Sequence, residues 1–176
     1  MGNYSFTIDS QITEVSYAEP VTLAEAKLYI RVSHTSEDAM IARMISSARK
    51  IIEDAAGISI ITKQVKVWFS NKGGAYQLPY GPITSAITLY DDYTGTVLTD
   101  KRIIGGNYPR ITFPEIDNMR AEYTVGYTHV PAALKDAILD QLNYMYENRG
   151  AENEGTGICE QAWRACQQFT RQSPIL

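Results

Sequence analysis

The pattern of apolar and polar positions is helical near both ends of the chain and alternating in between. The longest helical stripe consists of eight apolar residues: Met40, Ile41, Met44, Ile45, Ala48, Ile51, Ile52 and Ala55. A period of 3.6 residues predicts an amphipathic helix over 37–56. Gly57 follows it and is suited to cap the helix C-terminus in the left-handed conformation.

Two further helices are predicted by similar signals. Thr22 and Glu25 have the spacing of a capping box, which predicts a short helix over 22–32. Pro131 suits the first position of a third helix over 131–149, because its missing N–H is not needed there. The apolar stripe of this third helix consists of Leu134, Ala137, Ile138, Leu142 and Met145.

The pattern changes over 58–127, where short runs of β-forming residues are separated by turn signals. Val65, Val67 and Phe69 alternate with polar residues, and the Asp91–Gly95 segment has the composition of a turn. Short strands with regular turns predict an antiparallel β region. The predicted fold class is therefore α+β: a small helical bundle with an inserted antiparallel β region and a C-terminal helix or arm.

The same pattern divides the chain into three parts. Residues 1–21 are expected to form an N-terminal arm, and residues 22–150 the body of the protein. Residues 151–176 combine a linker that is rich in glycine with a C-terminal helix or arm. The boundaries follow the loss of regular periodicity at either end.

The C-terminal segment contains the residues that are most typical of an interface. Trp163 and Phe169 are large apolar anchors, and Ile175 and Leu176 end the sequence with an apolar tip. We predict that 158–176 docks on a partner through these four residues. The alternative is an ordinary final helix that packs on its own body and has a frayed tail.

Composition narrows the classes of function. The chain has 176 residues, a formal net charge of -4 and no long run of lysine or arginine. A sequence-independent DNA binder needs a basic stripe that displaces phosphate counterions, so tight DNA binding is disfavoured. The N-terminus lacks the pattern of a signal peptide, and no apolar run approaches the roughly 20 residues of a membrane span. We therefore expect a soluble protein that is made in a cytoplasm.

Residues that usually carry out catalysis or bind metals are few. The candidate ligands His34, His129, Cys159 and Cys166 lack the spacing of a zinc site. The two cysteines are seven positions apart in a predicted helix, too far for a disulfide, and are interpreted as small core residues. Because a nucleophile elbow and a phosphate-binding loop are also missing, the sequence predicts no catalytic residue, metal or cofactor.

Three stretches of the sequence carry motifs in a characteristic order. The first lies within 19–57 and includes Glu19, the Thr22–Lys27 segment, Arg49, Glu53 and Gly57. The second is Leu78-Pro79-Tyr80-Gly81-Pro82-Ile83, with Tyr90, Asp91 and Gly95 downstream. The third combines Tyr123-Thr124-Val125-Gly126-Tyr127 with Val130, Pro131 and Tyr146-Glu147-Asn148-Arg149. Together these motifs resemble the head–tail connector proteins of long-tailed bacteriophages, also called adaptor or head-completion proteins.

The resemblance implies a structural virion protein and not an enzyme. Copies would form a ring, often twelvefold, that joins the portal protein to tail, stopper or neck proteins. The ring would continue the DNA channel, and passing double-stranded DNA would be contacted only non-specifically. Such a protein would assemble in the host bacterial cytoplasm and remain at the neck of the virion.

Within this interpretation, the helices are candidates for the subunit–subunit contacts of the ring. Exposed β loops are candidates to face the next component of the tail. The two loops considered are 72–75 and Asp91–Gly95, and Tyr93 in the second is the candidate contact residue. Two other classes of function stay open at this point. They are a nucleic-acid-packaging or regulatory binding module, and a small hydrolase.

Overall fold

The computed structural model describes residues 6–15, 18–71, 75–113, 116–149 and 157–170. The chain separates into two compact units. The β unit comprises Met1–Tyr17 and Ile61–Thr128, and the helical unit comprises Ala18–Ile60 and His129–Leu176. Helices and antiparallel strands occupy separate parts of the sequence, which confirms the predicted α+β fold class.

Four helices are described in the helical unit. They are α1 (Leu23–Tyr29), α2 (Asp38–Ala56), α3 (Ala132–Glu147) and α4 (Glu160–Cys166), and a short 3-10 turn, Gln167–Phe169, follows α4. The first helix ends three residues before its predicted end at residue 32, because Arg31 has a positive φ of 59°. Pro131 is the N-cap of α3 and not its first helical residue.

The predicted helix ends are present at the first two helices. At α1, the Glu25 N–H donates to Thr22 Oγ1 at 3.2 Å, and the Thr22 N–H donates to Glu25 Oε2 at 2.7 Å, which is the reciprocal capping box. Hydrogen bonds from Thr22 also hold the pKa of Glu25 below its ordinary value. Gly57 caps α2 in the left-handed region at φ 65° and ψ 33°.

The buried face of α2 contains four of the eight residues of the predicted stripe together with two charged residues. Ile41, Ile45, Ala48 and Ile52 are buried as predicted. Arg49 and Glu53 are buried on the same helix, although the sequence analysis assigned only apolar residues to that face. Other buried apolar side chains of the helical unit include Val21, Ala26, Leu134, Ala137, Ile138, Leu142, Ala162 and Cys166.

Seven strands are described in the β unit: β1 (Phe6–Glu14), β2 (Lys63–Asn71), β3 (Ala75–Gln77), β4 (Thr88–Asp91), β5 (Arg102–Ile104), β6 (Arg110–Thr112) and β7 (Ile116–Val125). They form a four-stranded sheet in the order β1-β2-β7-β4 and a three-stranded sheet in the order β3-β6-β5. All described pairings are antiparallel, as predicted for the inserted region.

The N-terminal segment is more than the arm that was expected at 1–21. Its described residues form β1, which pairs with β2 along most of its length and contains an irregularity between Thr7 and Asp9. The pairing satisfies backbone groups of β2 that an unpaired arm would leave open. Within the four-stranded sheet, β1 is an edge strand.

The core of the β unit forms around aromatic side chains. The Phe69 ring stacks on the Tyr76 ring at 4.2 Å between centroids, and Phe113 is tilted against Phe69 at 5.6 Å. Val65, Val67 and Phe69 are all buried, which confirms the alternation predicted for this strand. Tyr76 also bonds through its hydroxyl to Thr7 Oγ1 at 2.5 Å, so it connects the core to the edge strand β1.

Two of the sequence motifs meet in the β unit. The Tyr123 hydroxyl donates to the Pro79 carbonyl at 2.5 Å, and the Gly126 N–H donates to the Pro82 carbonyl at 2.9 Å. The Gly81–Pro82 peptide bond is cis. A Cβ on Gly81 would lie 2.5 Å from the Tyr108 ring, so only glycine fits at this position. The Leu78–Ile83 and Tyr123–Tyr127 motifs are therefore parts of one internal anchor.

Substitution of Gly126 by alanine should destabilise the protein strongly. Gly126 has φ 116°, and a Cβ there would collide with the Ile61 carbonyl oxygen. Backbone strain alone should cost about 1–3 kcal/mol, and the collision with Ile61 adds to that. Gly95→Ala is the matched control: Gly95 has φ 70°, but a Cβ added to it would meet no atom within 4 Å, so we expect a loss of only about 1 kcal/mol. Chemical denaturation measures both; equal losses would contradict the packing argument.

Candidate assembly surfaces

The residues that were considered for chemistry do not come together. His34 and His129 are both exposed, and His34 Nδ1 bonds only to the nearby Ser36 hydroxyl at 2.8 Å. Cys159 and Cys166 are free and buried, as predicted, and burial raises the pKa of the Cys166 thiol. Across the described ranges, no group of three or more His, Cys, Asp or Glu side chains is placed to hold a metal ion. No helix among the described residues is long and apolar enough to cross a membrane.

A buried ion cluster lies at the centre of the helical unit. The Arg49 guanidinium is 2% exposed and donates to both oxygens of Glu19, at 2.7 Å from Nε and 3.2 Å from Nη2. Arg49 Nη1 donates to Glu53 Oε2 at 2.7 Å, one turn further along α2. The second oxygen of Glu53 accepts the Ile60 N–H at 2.6 Å. One cation therefore joins the segment before α1, the middle of α2 and the residues after α2.

A second cluster connects the start of α2 to the end of α3. Arg149 Nη1 donates to Glu37 Oε1 at 2.9 Å, and the Tyr146 hydroxyl donates to Glu37 Oε2 at 2.6 Å. The Arg149 guanidinium also lies 3.8 Å from the centre of the Tyr146 ring. The hydrogen bond from Tyr146, with that from Arg149, holds the pKa of Glu37 below its ordinary value. The bond to Glu37 correspondingly raises the pKa of Tyr146.

Helix α1 is attached to its neighbours by polar side chains. Lys27 Nζ donates to Asp38 Oδ1 at 2.6 Å, which joins α1 to α2. The Tyr29 hydroxyl donates to Asp140 Oδ1 in α3, and this bond raises the pKa of Tyr29 to about 12. Leu28, between these two residues, is 82% exposed. The attached helix therefore presents a large apolar side chain to the surface.

The described part of the C-terminal segment packs on the helical unit and is not the detached arm of the prediction. Helix α4 contacts α2 and α3, and Ala162 and Cys166 are fully buried. The buried Gln141 side chain donates from Nε2 to the Gly157 carbonyl at 2.8 Å and accepts the Cys159 N–H at 2.7 Å. This amide satisfies backbone groups at the entry to α4, which explains why the helix docks here.

The predicted partner-binding residues of this segment have different outcomes. Trp163 is half-buried and lines a shallow pocket with Ala55, Ile158 and Glu160. Phe169 is half-buried in the turn after α4. Ile175 and Leu176 lie outside the described residues. Contact of these four residues with a partner stays a prediction.

The predicted loop residue Tyr93 is 92% exposed. Its turn is fixed by Asp91, whose Oδ1 accepts the Tyr93 N–H at 2.9 Å and the Thr94 N–H at 3.2 Å. Gly95 has the left-handed conformation that the turn composition predicted. Tyr93 is thus an exposed aromatic ring on an ordered turn. The other predicted loop, 72–75, lies outside the described residues except for Ala75.

Several apolar side chains that the sequence pattern did not mark as exposed lie at the surface. Besides Leu28 and Tyr93, the large exposed hydrophobic residues in the described ranges are Ile8, Ile12, Val15, Tyr29, Val97, Ile103 and Ile104. Several of them lie in edge strands, where one face and one backbone edge are open. The alternation of Tyr4, Phe6 and Ile8 predicts a short strand in the N-terminal arm, and the structure has β1 there, but the alternation does not indicate which edge of a sheet the strand occupies.

Comparison with protein families gives a match over most of the chain. The family model described as head completion protein matches residues 19–158. This chain belongs to the head completion protein family. The matched range includes all three motif stretches, so the resemblance inferred from them is confirmed. No curated protein sequence matches the chain significantly.

Solved structures with the same fold come from gene transfer agent particles. A chain from the neck of an empty particle, computed with C6 symmetry, superposes with a TM-score of 0.72 at 17% identity. A chain from the virion of a native particle gives 0.70 at 19% identity, and one from a native neck computed with C12 symmetry gives 0.67 at 17%. Each comparison covers 94% of this chain and 97% of the other. At these identities the likeness establishes the fold.

Replacement of Arg49 by methionine should destabilise this head completion protein by about 3–5 kcal/mol, because a buried carboxylate loses its cation. Arg164 offers a control, since it also forms an i,i+4 ion pair, with Glu160 four residues before it, but both side chains are more than 70% exposed. Arg164→Met should cost at most about 0.5 kcal/mol. Urea unfolding followed by circular dichroism compares the two; similar losses would show that the buried cluster contributes little.

Truncation after Gly157 should lower the melting temperature of the isolated protein, because it removes the buried Ala162 and Cys166 side chains. Gln141→Ala should also destabilise, by about 1–3 kcal/mol, since it leaves the buried Cys159 N–H without its partner. Gln161→Ala, at an exposed position of α4, is the control. An unchanged melting temperature after truncation would restore the hypothesis of an independent arm.

Proposed function

We propose that this protein is a structural subunit of the neck of a tailed phage or phage-like particle. In this role, copies form a ring, twelvefold in the assembled neck, that joins the portal protein to tail, stopper or other neck proteins. The observation that carries the proposal is the family match over residues 19–158. The ring continues the DNA channel, and the particle assembles in the cytoplasm of the bacterial host.

The arrangement of the motif residues supports a structural and not a catalytic role. Arg49, Glu53 and Glu19 form an internal ion cluster, and Gly126 and Tyr123 hold the Leu78–Ile83 segment in place. In an enzyme family, shared motifs usually surround a cleft with titratable groups of shifted pKa. Here the motif residues stabilise the interior of each of the two units. The motifs therefore maintain the fold, and with it a surface that other proteins can bind.

The symmetry of the structural relatives supports a ring. Two of the matched structures are of particle necks computed with C6 and C12 symmetry. Rotational assembly requires each subunit to present two different complementary surfaces. The net charge of -4 is compatible with passage of DNA that is not held by the channel wall.

The proposed contacts with other neck components use the exposed and half-buried aromatic residues. Tyr93 presents a ring on an ordered turn and would contact the next component of the tail. Trp163 and Phe169, together with Ile175 and Leu176, would contact the portal protein or the adjacent subunit. Aromatic anchors of this kind contribute much of the binding energy in protein interfaces.

The purified full-length protein should form rings that are visible by negative-stain microscopy, alone at high concentration or on addition of the portal protein. Mass photometry should then give a multiple of the 19.7 kDa chain mass that corresponds to the symmetry in the images. Affinity for duplex DNA should be weak at physiological salt, because no basic stripe is available. A monomer under all these conditions, or tight salt-dependent DNA binding, would contradict the proposal.

A further inference from the structure

The β unit has two open sheet edges that expose isoleucine side chains. Strand β1 is at the edge of the four-stranded sheet and β5 is at the edge of the three-stranded sheet. Ile12 of β1 and Ile103 of β5 are each 42% exposed. An exposed apolar edge strand is a template for pairing with another strand, so proteins normally cover or modify it.

Backbone groups of Ile12 point away from the sheet. The Val15 N–H donates to the Thr62 carbonyl at 3.0 Å, so this pair faces inward between the two strands. Inward and outward residues alternate along an antiparallel strand, which directs the N–H and C=O of Ile12 to the open edge. The nearby outward N–H of Ser10 is bonded to Asp9 Oδ1 at 2.7 Å. Ile12 therefore lies at the middle of the β1 residues whose backbone N–H and C=O groups face the open edge.

The same alternation applies to β5. The Leu78 N–H donates to the Pro109 carbonyl at 3.3 Å, which continues the pairing of β3 with β6. The backbone groups of successive β6 residues face opposite sides. The backbone hydrogen bonds of Ile111 are therefore with β3, and those of Arg110 are with β5. Ile103, between the bonded positions of β5, directs its N–H and C=O to the open edge. Ile12 and Ile103 thus combine an exposed side chain with outward backbone groups.

The charges of the two strands themselves indicate which strand fits against which. Strand β1 contains Asp9 and Glu14 and no basic residue, whereas β5 contains the exposed Arg102 and no acidic residue. Pairing of β1 with β1 would bring two acidic strands together, and pairing of β5 with β5 would bring two basic strands together. Of these pairings, the mixed pair is the one that brings strands of opposite charge together.

We infer that β1 of one copy pairs with β5 of the next copy and joins the two sheets across the interface. This inference rests on the proposed ring and specifies the contact that builds it. The two edges are different surfaces of one subunit, so their pairing is head-to-tail and can repeat around a ring. Exposed Ile8 and Ile104 would be covered by the same contact.

Cysteine cross-linking of full-length variants tests the pairing. Ile12→Cys and Ile103→Cys are prepared separately, mixed and treated with a short bismaleimide, which tolerates a small difference in register. The native cysteines are buried, so they should react slowly. We expect a cross-linked dimer from the mixture, no dimer from either variant alone, and a ladder of multimers from the double variant. Tyr93→Cys mixed with Ile103→Cys is the control for random collision.

The possible results separate this inference from the ring itself. Rings in the microscope without cross-links between positions 12 and 103 would overturn the strand pairing and leave the ring intact. A dimer from Ile12→Cys alone would show that β1 meets β1 and would overturn the inference as well. If neither rings nor cross-links form, including in the presence of the portal protein, the ring proposal fails and the strand pairing fails with it.

Discussion

The helical unit depends on the burial of one cation. Arg49 carries a guanidinium that stays protonated at any physiological pH, and it is almost completely removed from water. Such a charge is tolerated only when carboxylates and hydrogen bonds compensate for the lost hydration. Glu19 and Glu53 provide the carboxylates, and Glu53 in turn accepts the Ile60 N–H. The hydrogen bonds of the Arg49 guanidinium and of its partner Glu53 therefore fix the positions of the segment before α1 and of the segment after α2.

In the β unit, the main constraint is the close approach of neighbouring atoms to two glycines, and not a buried charge. Gly81 and Gly126 occur where a side chain would collide with the Tyr108 ring or with the Ile61 carbonyl. Tyr123 completes the anchor through its bond to the Pro79 carbonyl. These residues belong to the motifs by which the family is identified. The contacts of these motif residues are therefore internal to the β unit.

The residues proposed to contact other subunits or neck components differ in character from the motif residues. Tyr93, Ile12 and Ile103 are exposed. Their placement follows from turn geometry and strand order, which the internal anchors maintain. Internal residues can thus maintain the fold while exposed positions vary.

The sequence by itself determined the features that depend on neighbouring residues. Helix α2, the Thr22 capping box, the Gly57 cap and the alternation around Val65 were predictable because local periodicity and backbone conformation specify them. The burial of Arg49 was not predictable, since its partner Glu19 lies 30 residues away and a charged residue within a helical stripe usually faces solvent. Tertiary contacts likewise decided that Gln141 docks α4 and that β1 joins the sheet at its edge. Both depend on which distant backbone groups need a hydrogen-bond partner, and the fold alone brings those groups together.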